Sequence, residues 1–167
     1  MTGERPVIRL AEVTDAAAIA SIYNPYIANT TITFEEQLLS AEQIAQRIRD
    51  IHVAGLPWLV AEDGAQVVGY AYASAWKARS AYRHSVEVSV YLQDQAQGKG
   101  WGSRLYEALF SALKERQVHV AIGGIALPNP GSVALHEKFG MKQVAHFEQV
   151  GFKFGRWLDV GYWQKLL

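Results

Sequence analysis

The segment Gln97-Gly98-Lys99-Gly100-Trp101-Gly102-Ser103 limits what this chain can fold into more than any other part of it. It follows an apolar, β-branched run, Val86-Glu87-Val88-Ser89-Val90-Tyr91-Leu92. It precedes a segment from Ser103 to Lys114 with apolar residues at 105, 109, 112 and 113. That order predicts strand, glycine-rich turn and amphipathic helix. Glycines let the backbone approach a ligand closely, and a helix N-terminus presents unpaired N–H groups with partial positive charge. Together they make a site for phosphate groups. A phosphate-bearing cofactor is expected at this turn.

The 167 residues suit one domain spanning 1–167 with a core of its own. Sixteen basic residues balance sixteen acidic ones, so neither nucleic acid nor a membrane surface is an expected partner. No apolar run approaches a membrane span and the N-terminus has no signal-peptide pattern, which predicts a soluble, cytoplasmic protein. The absence of cysteine excludes disulfides, thiolate metal sites and a cysteine nucleophile. His52, His84, His119 and His146 show no ligand spacing, so no metal is expected.

Along the chain, Val7–Leu10 reads as a first strand. A helix capped by Thr14 or Asp15 carries Ile19, Ile22 and Tyr23 on one face and is expected to stop near Asn24-Pro25. Ser40-Ala41-Glu42-Gln43 is a capping box opening a second helix, with Ile44, Ile48 and Ile51 inward. Trp58–Glu62 and Gln66–Ser74 form a hairpin about Asp63-Gly64. After the glycine turn and its helix come a strand at 118–125, a short helix at 132–139 and two strands, at 142–149 and 158–164. Mixed strands and helices with a hairpin predict a three-layer α/β domain with a partly antiparallel sheet.

The turn itself admits several readings. A P-loop fails because Gly98-Lys99 is followed by Gly100 rather than Ser or Thr. The dinucleotide fingerprint fails because Ser103 stands where its third glycine or alanine belongs, and no acidic residue ends a strand about 20 residues on. Gln-x-x-Gly-x-Gly fits, through Gln97, Gly100 and Gly102. The remaining alternative is a turn whose glycines only relieve strain.

Other segments accompany it: Ile22-Tyr23-Asn24 with Asn29-Thr30-Thr31; Trp76-Lys77-Ala78-Arg79-Ser80-Ala81-Tyr82; Leu127-Pro128-Asn129 with Ser132 and Leu135-His136-Glu137; and the run from Val150 to Asp159. With these the chain resembles the GCN5-related N-acetyltransferases, in particular the phosphinothricin and methionine sulfoximine N-acetyltransferases. The resemblance implies a mixed central sheet of about six or seven strands, helices on both faces and a splayed strand pair at the acyl-CoA site. It implies acetyl-CoA as co-substrate, with the diphosphate on the backbone amides of Gln97, Gly98, Lys99, Gly100, Trp101, Gly102 and Ser103. The pantetheine arm would pair with the main chain of Val90, Tyr91 and Leu92, and Asn129 would contact the cofactor. Asn129 is equally a usual turn residue in Pro128-Asn129-Pro130-Gly131.

Glu87 is the candidate base. It is the one carboxylate in its strand, and alternation puts Glu87, Ser89 and Tyr91 on one face, with Val86, Val88 and Val90 on the other. An ammonium acceptor must lose a proton before it attacks, and the resembled enzymes place their proposed base here. The alternative is a salt-bridged surface glutamate. For His136 three readings stand open: proton donor to the departing thiolate, cofactor contact, or a histidine satisfied on a helix face. Without cysteine, direct attack of the amine in a ternary complex is the expected route.

The loop holding Lys77, Arg79 and Tyr82 offers cations among aromatics to clamp an acceptor carboxylate, or is simply a solvated basic loop. Phe34 and Glu35 lie in a region that covers the acceptor in the resembled family. The expected reaction is acetyl transfer to the α-amino group of a small amino-acid-like acceptor. Alternatives are another small amine or peptide N-terminus as acceptor, or a non-catalytic acyl-CoA sensor. The family also implies a homodimer. The aromatic segment Gly151–Asp159 suits partner contact, site closure or a β-turn on its own sheet.

Overall fold

The computed structural model describes residues 6–167. Seven strands, β1 (Val7–Leu10), β2 (Trp58–Asp63), β3 (Gln66–Ala75), β4 (Ser85–Leu92), β5 (Val120–Leu127), β6 (Lys142–Lys153) and β7 (Arg156–Leu166), form one sheet in the order β1-β2-β3-β4-β5-β7-β6. Neighbours are antiparallel except β4 and β5, which run parallel. Helices α1 (Ala16–Asn29) and α2 (Ala41–Val53) cover one face around Ile19, Ile27, Ile44, Ile48, Val60 and Tyr70. Helices α3 (Trp101–Glu115) and α4 (Pro130–Lys138) cover the other, where Leu105, Leu109 and Leu113 meet Val86, Val88 and Ala121. This is the expected three-layer α/β arrangement.

The parallel pair determines what the fold can bind. It is paired only at Ser85↔Val120, Val86↔Ala121 and Glu87↔Ile122. Beyond Glu87, β4 stays with β3 as far as Leu92↔Gly69, while β5 stays with β7 as far as Leu127↔Asp159. The sheet therefore splits in two, and a wedge opens between residues 88–92 and 123–127. The expected splayed pair is present.

The capping box forms as read: Gln43 N donates to Ser40 Oγ at 3.1 Å and Ser40 N to Gln43 Oε1 at 2.9 Å. The expected end of α1 at Asn24-Pro25 is overturned, for the helix runs on to Asn29. Proline fixes a helix-compatible φ and removes one hydrogen bond, at a cost of about 3 kcal/mol. Burial of Ile27 and the packing of Tyr26 on Tyr91, ring centroids 5.2 Å apart, offset that cost. The last two strands are longer than expected and meet in a two-residue turn, Phe154-Gly155, with φ of 53° and 70°. Positive φ at both central positions gives the turn whose twist matches a hairpin. Helix α4 starts two residues early because Asn129 caps it and Pro130 takes its first position.

Candidate active site

The glycine turn ends in the left-handed region: Gly98 has φ +75°, and Gly100, the cap of α3, has φ +83°. A side chain at either position would be strained, and a Cβ there would meet nothing within 4 Å. Gly102 sits where a Cβ would touch Leu135 at 3.4 Å, so α3 and α4 approach across it. Gln97 Nε2 donates to the Tyr26 hydroxyl at 3.2 Å, and that hydroxyl donates to the Leu92 carbonyl. Trp101 is buried with the Arg104 guanidinium over its ring, Lys99 is exposed, and Ser103 Oγ accepts from Lys138 at 2.9 Å. The turn thus offers main-chain amides at the N-terminus of a 15-residue helix to open space.

From the turn a groove of about 310 Å³ runs along the wedge, lined by Val90, Tyr91, Leu92, Gln97, Gly102 and Asn129. Asn129 Oδ1 accepts from Ser132 N at 3.2 Å, so it caps α4 and also faces the groove. The groove narrows to a cavity of about 50 Å³ that includes Val88, Ser89, Tyr106, Gly124 and His136. It then meets a wider cleft of about 330 Å³ lined by Glu87, Phe34, Val150 and Tyr162. Narrow cavity and cleft share Ile32, Ser89, Tyr91, Gly124 and Ala126. A long, thin, phosphate-headed ligand fits the first, and a compact second molecule fits the other.

Glu87 stands at the junction, the last residue of β4 paired with β5. Its Oε1 lies 3.3 Å from where a Cβ on Gly124 would be, and a Cβ there would also meet Tyr162 at 3.0 Å, so β5 passes close to the carboxylate at this glycine. Burial pushes its carboxyl above the ordinary value of 4.5. None of the salt bridges among the described residues involves it. A salt-bridged surface glutamate is not what the fold contains. The arrangement can hold an accessible carboxylate ready to take a proton.

His136 is 4% exposed, on α4. Its Nδ1 lies 2.7 Å from the Ser132 carbonyl, which can only accept, so Nδ1 carries the hydrogen. Nε2 then accepts from the Tyr106 hydroxyl at 3.0 Å. Burial lowers its pKa, keeping the ring neutral. A Cβ on Gly123 would stand 2.6 Å from the ring, so β5 passes flat against it. The unfolded chain takes up a proton at His136 near the ordinary value of 6.5, and the folded chain only at lower pH. Stability contributed by this group is present above that value and is lost as pH falls from it toward the folded pKa. Thermal unfolding across that interval should therefore show a shallower acid-side fall for His136→Gln than for the wild type.

The remaining expected positions divide. Phe34 lines the Glu87 cleft. Glu35 does not line it; it pairs with Arg47 at 2.6 Å and accepts from the Tyr23 hydroxyl. Lys77, Arg79 and Tyr82 line an open depression separate from the cleft. Lys77 also borders an apolar hollow that shares Tyr162 with the cleft, and Trp76 packs edge-on against Tyr162 with centroids 5.5 Å apart. The sequence reading missed Tyr162, Tyr106 and Ile32. It also passed over Gly123-Gly124, although paired glycines inside a strand signal a close approach by another group. Among the described residues no cluster of His, Asp and Glu could hold a metal, and no helix is long and apolar enough to cross a membrane.

A helix-capped glycine turn, a splayed parallel strand pair and a carboxylate at the fork define an acyltransferase architecture. The chain belongs to the family described as the acetyltransferase (GNAT) domain, whose model matches residues 8–161. It is 39% identical to the phosphinothricin N-acetyltransferase of Streptomyces viridochromogenes, over 96% of this chain and 88% of that one. It is 38% identical to the L-amino acid N-acyltransferase MnaT of Escherichia coli, over 94% and 91%. It is 35% identical to the L-methionine sulfoximine/L-methionine sulfone acetyltransferase of Salmonella typhimurium, over 94% and 92%. The crystal structure of a phosphinothricin acetyltransferase from Sinorhizobium meliloti in complex with acetyl-CoA superposes with a TM-score of 0.94. That protein is 37% identical, over 97% of this chain and 88% of that one.

Proposed function

We propose that this acetyl-CoA-dependent N-acetyltransferase acts on the α-amino group of a small amino-acid-like acceptor, of the phosphinothricin or methionine sulfoximine type. One domain over 1–167 carries the reaction. The observation that carries this reading is the position of Glu87: desolvated, free of a counter-ion, and standing where the cofactor groove opens into the cleft. Similarity to enzymes named for phosphinothricin, L-amino acids and methionine sulfoximine supports the acceptor class.

Bound acetyl-CoA supplies the activated carbonyl that the amine attacks. The amides of Gln97, Gly98, Lys99, Gly100, Trp101, Gly102 and Ser103 hold its diphosphate, with the positive end of α3 behind them. Main-chain groups of Val90, Tyr91 and Leu92, which lie beyond the last residue of β4 paired with β5 and line the groove, take the pantetheine amides. Asn129 borders the same groove. Glu87 accepts the ammonium proton, directly or through one water. His136, neutral and bonded on both nitrogens, lines the narrow end of the groove together with Tyr106 and closes it as a cofactor contact. Lys77, which borders the hollow that shares Tyr162 with the cleft, meets the acceptor carboxylate, and Arg79 and Tyr82 line the neighbouring open depression. A cytoplasmic homodimer belongs to the same proposal. Phe152, Phe154 and Trp157, more than half exposed on one hairpin, support it as a contact surface.

The test is thiol release from acetyl-CoA with a panel of amino acids, sulfones, sulfoximines and peptides, paired with mass spectrometry of the protein after acetyl-CoA alone. Turnover on the amino-acid-like amines with an unmodified chain is expected. Turnover confined to peptides, coenzyme binding without turnover on any amine, or an acetylated chain that passes its acetyl to amines would each overturn the reading.

A further inference from the structure

Lys153 is 2% exposed, an unusual state for a lysine. At the end of β6 and in the turn after it, Phe152 and Phe154 are exposed, while Gly151 and Lys153 are buried against the loop at 30–36. An apolar residue is expected at such a position. Instead the Lys153 ammonium donates to the Thr33 carbonyl at 2.8 Å. The carboxylates of Glu36 and Glu35 favour its charge, and burial opposes it. Thr33 is itself buried, and its hydroxyl lies 2.7 Å from that of Tyr23 on α1. The loop is thus held from two sides at one residue: the Thr33 side chain by α1, and its carbonyl by β6.

The next residue shows what the hold achieves. The ring of Phe34 rests on Gly151 so closely that a Cβ there would lie 2.3 Å from Phe34 Cε2 and 2.5 Å from Cζ. Gly151, within β6, does not have a positive φ, so its backbone conformation does not require glycine. The aromatic ring above it does. Ile32, Thr33 and Phe34 together form one wall of the cleft that holds Glu87.

We infer that Lys153 and Gly151 are positioning residues for acceptor recognition: the Lys153–Thr33 bond fixes the loop and Gly151 seats Phe34, setting the width of the cleft opposite Glu87. The inference rests on the proposed acceptor site for its effect on catalysis, and on contacts alone for its effect on the loop. A buried hydrogen bond from a charged donor contributes enough that losing it leaves the Thr33 carbonyl unpaired and the wall loose.

The test uses Lys153→Met, which fills the same volume without a donor, Lys153→Arg, which restores one, Gly151→Ala, and the pair Phe34→Ala and Phe34→Ala/Gly151→Ala. L-Phosphinothricin and L-methionine sulfone serve as probe acceptors. Lys153→Met and Gly151→Ala should each raise the acceptor KM about tenfold or more while leaving the acetyl-CoA KM within about twofold. Lys153→Arg should recover part of the loss. Gly151→Ala should have no further effect once Phe34 is alanine, because the two act through one contact. Amide hydrogen exchange at residues 30–36 should be faster in Lys153→Met than in wild type, with or without an acceptor amine. Equal changes in both KM values, additive Phe34 and Gly151 effects, or unchanged exchange in Lys153→Met would overturn the inference. Wild-type failure on every amine would instead refute the proposed acceptor class, and exchange at 30–36 would still decide the positioning role.

Discussion

Glu87→Gln should lower kcat/KM for the acceptor by about 10²- to 10⁴-fold, the usual contribution of a positioned general base. Glutamine keeps the shape and the room left by Gly124, but its amide cannot take the ammonium proton. Acetyl-CoA affinity should hardly change, because Glu87 lines the acceptor cleft and neither the groove nor the narrow cavity. The pH profile supplies a second signature. Burial raises the Glu87 carboxyl above 4.5, and only its ionised form can act as base. The wild-type rate should therefore fall with acidification at a pH above the ordinary value of 4.5, and this limb should vanish in the variant. Steady-state kinetics across pH would check both. A variant of near wild-type efficiency would leave the base unassigned and shift the proton to water.

Gly100→Val should weaken acetyl-CoA binding by about 10- to 100-fold while the protein stays folded. The residue sits at φ +83°, where a β-branched side chain is strained by roughly 1–2 kcal/mol or more. The variant relieves that strain by turning the peptide, which points the first amides of α3 away from the groove. Because no atom lies within 4 Å of a Cβ at this position, the core does not sense the substitution. The loss should thus appear in calorimetric affinity far more than in melting temperature. An unchanged Kd would place the diphosphate elsewhere.

What could be read from the sequence followed from local physics. Glycines at 98, 100 and 102 before an amphipathic run have few uses other than a tight turn at a helix start. Strict alternation from Val86 to Tyr91 leaves Glu87 a single face. The capping box at Ser40 and the hairpin at Asp63-Gly64 are equally local. The failures lie where distant segments decide. Pro25 stays helical because Ile27 and Tyr26 find partners across the core. The partner of His136's second nitrogen, Tyr106, lies 30 residues away and nothing local in the sequence points to it. Lys153 resembles any surface lysine until Thr33, 120 residues earlier, meets it. Arg79 and Tyr82 line an open depression separate from the Glu87 cleft, on a stretch exposed from Lys77 to His84.

The central claim is that a turn and a fork in one sheet hold a single extended molecule between them. Titrating the isotope-labelled protein with acetyl-CoA and following its backbone amide resonances tests this most directly. The account predicts that the amides of 97–103 and 90–92 shift together, saturating at one concentration. Resonances that stay fixed at those residues while others move would contradict it.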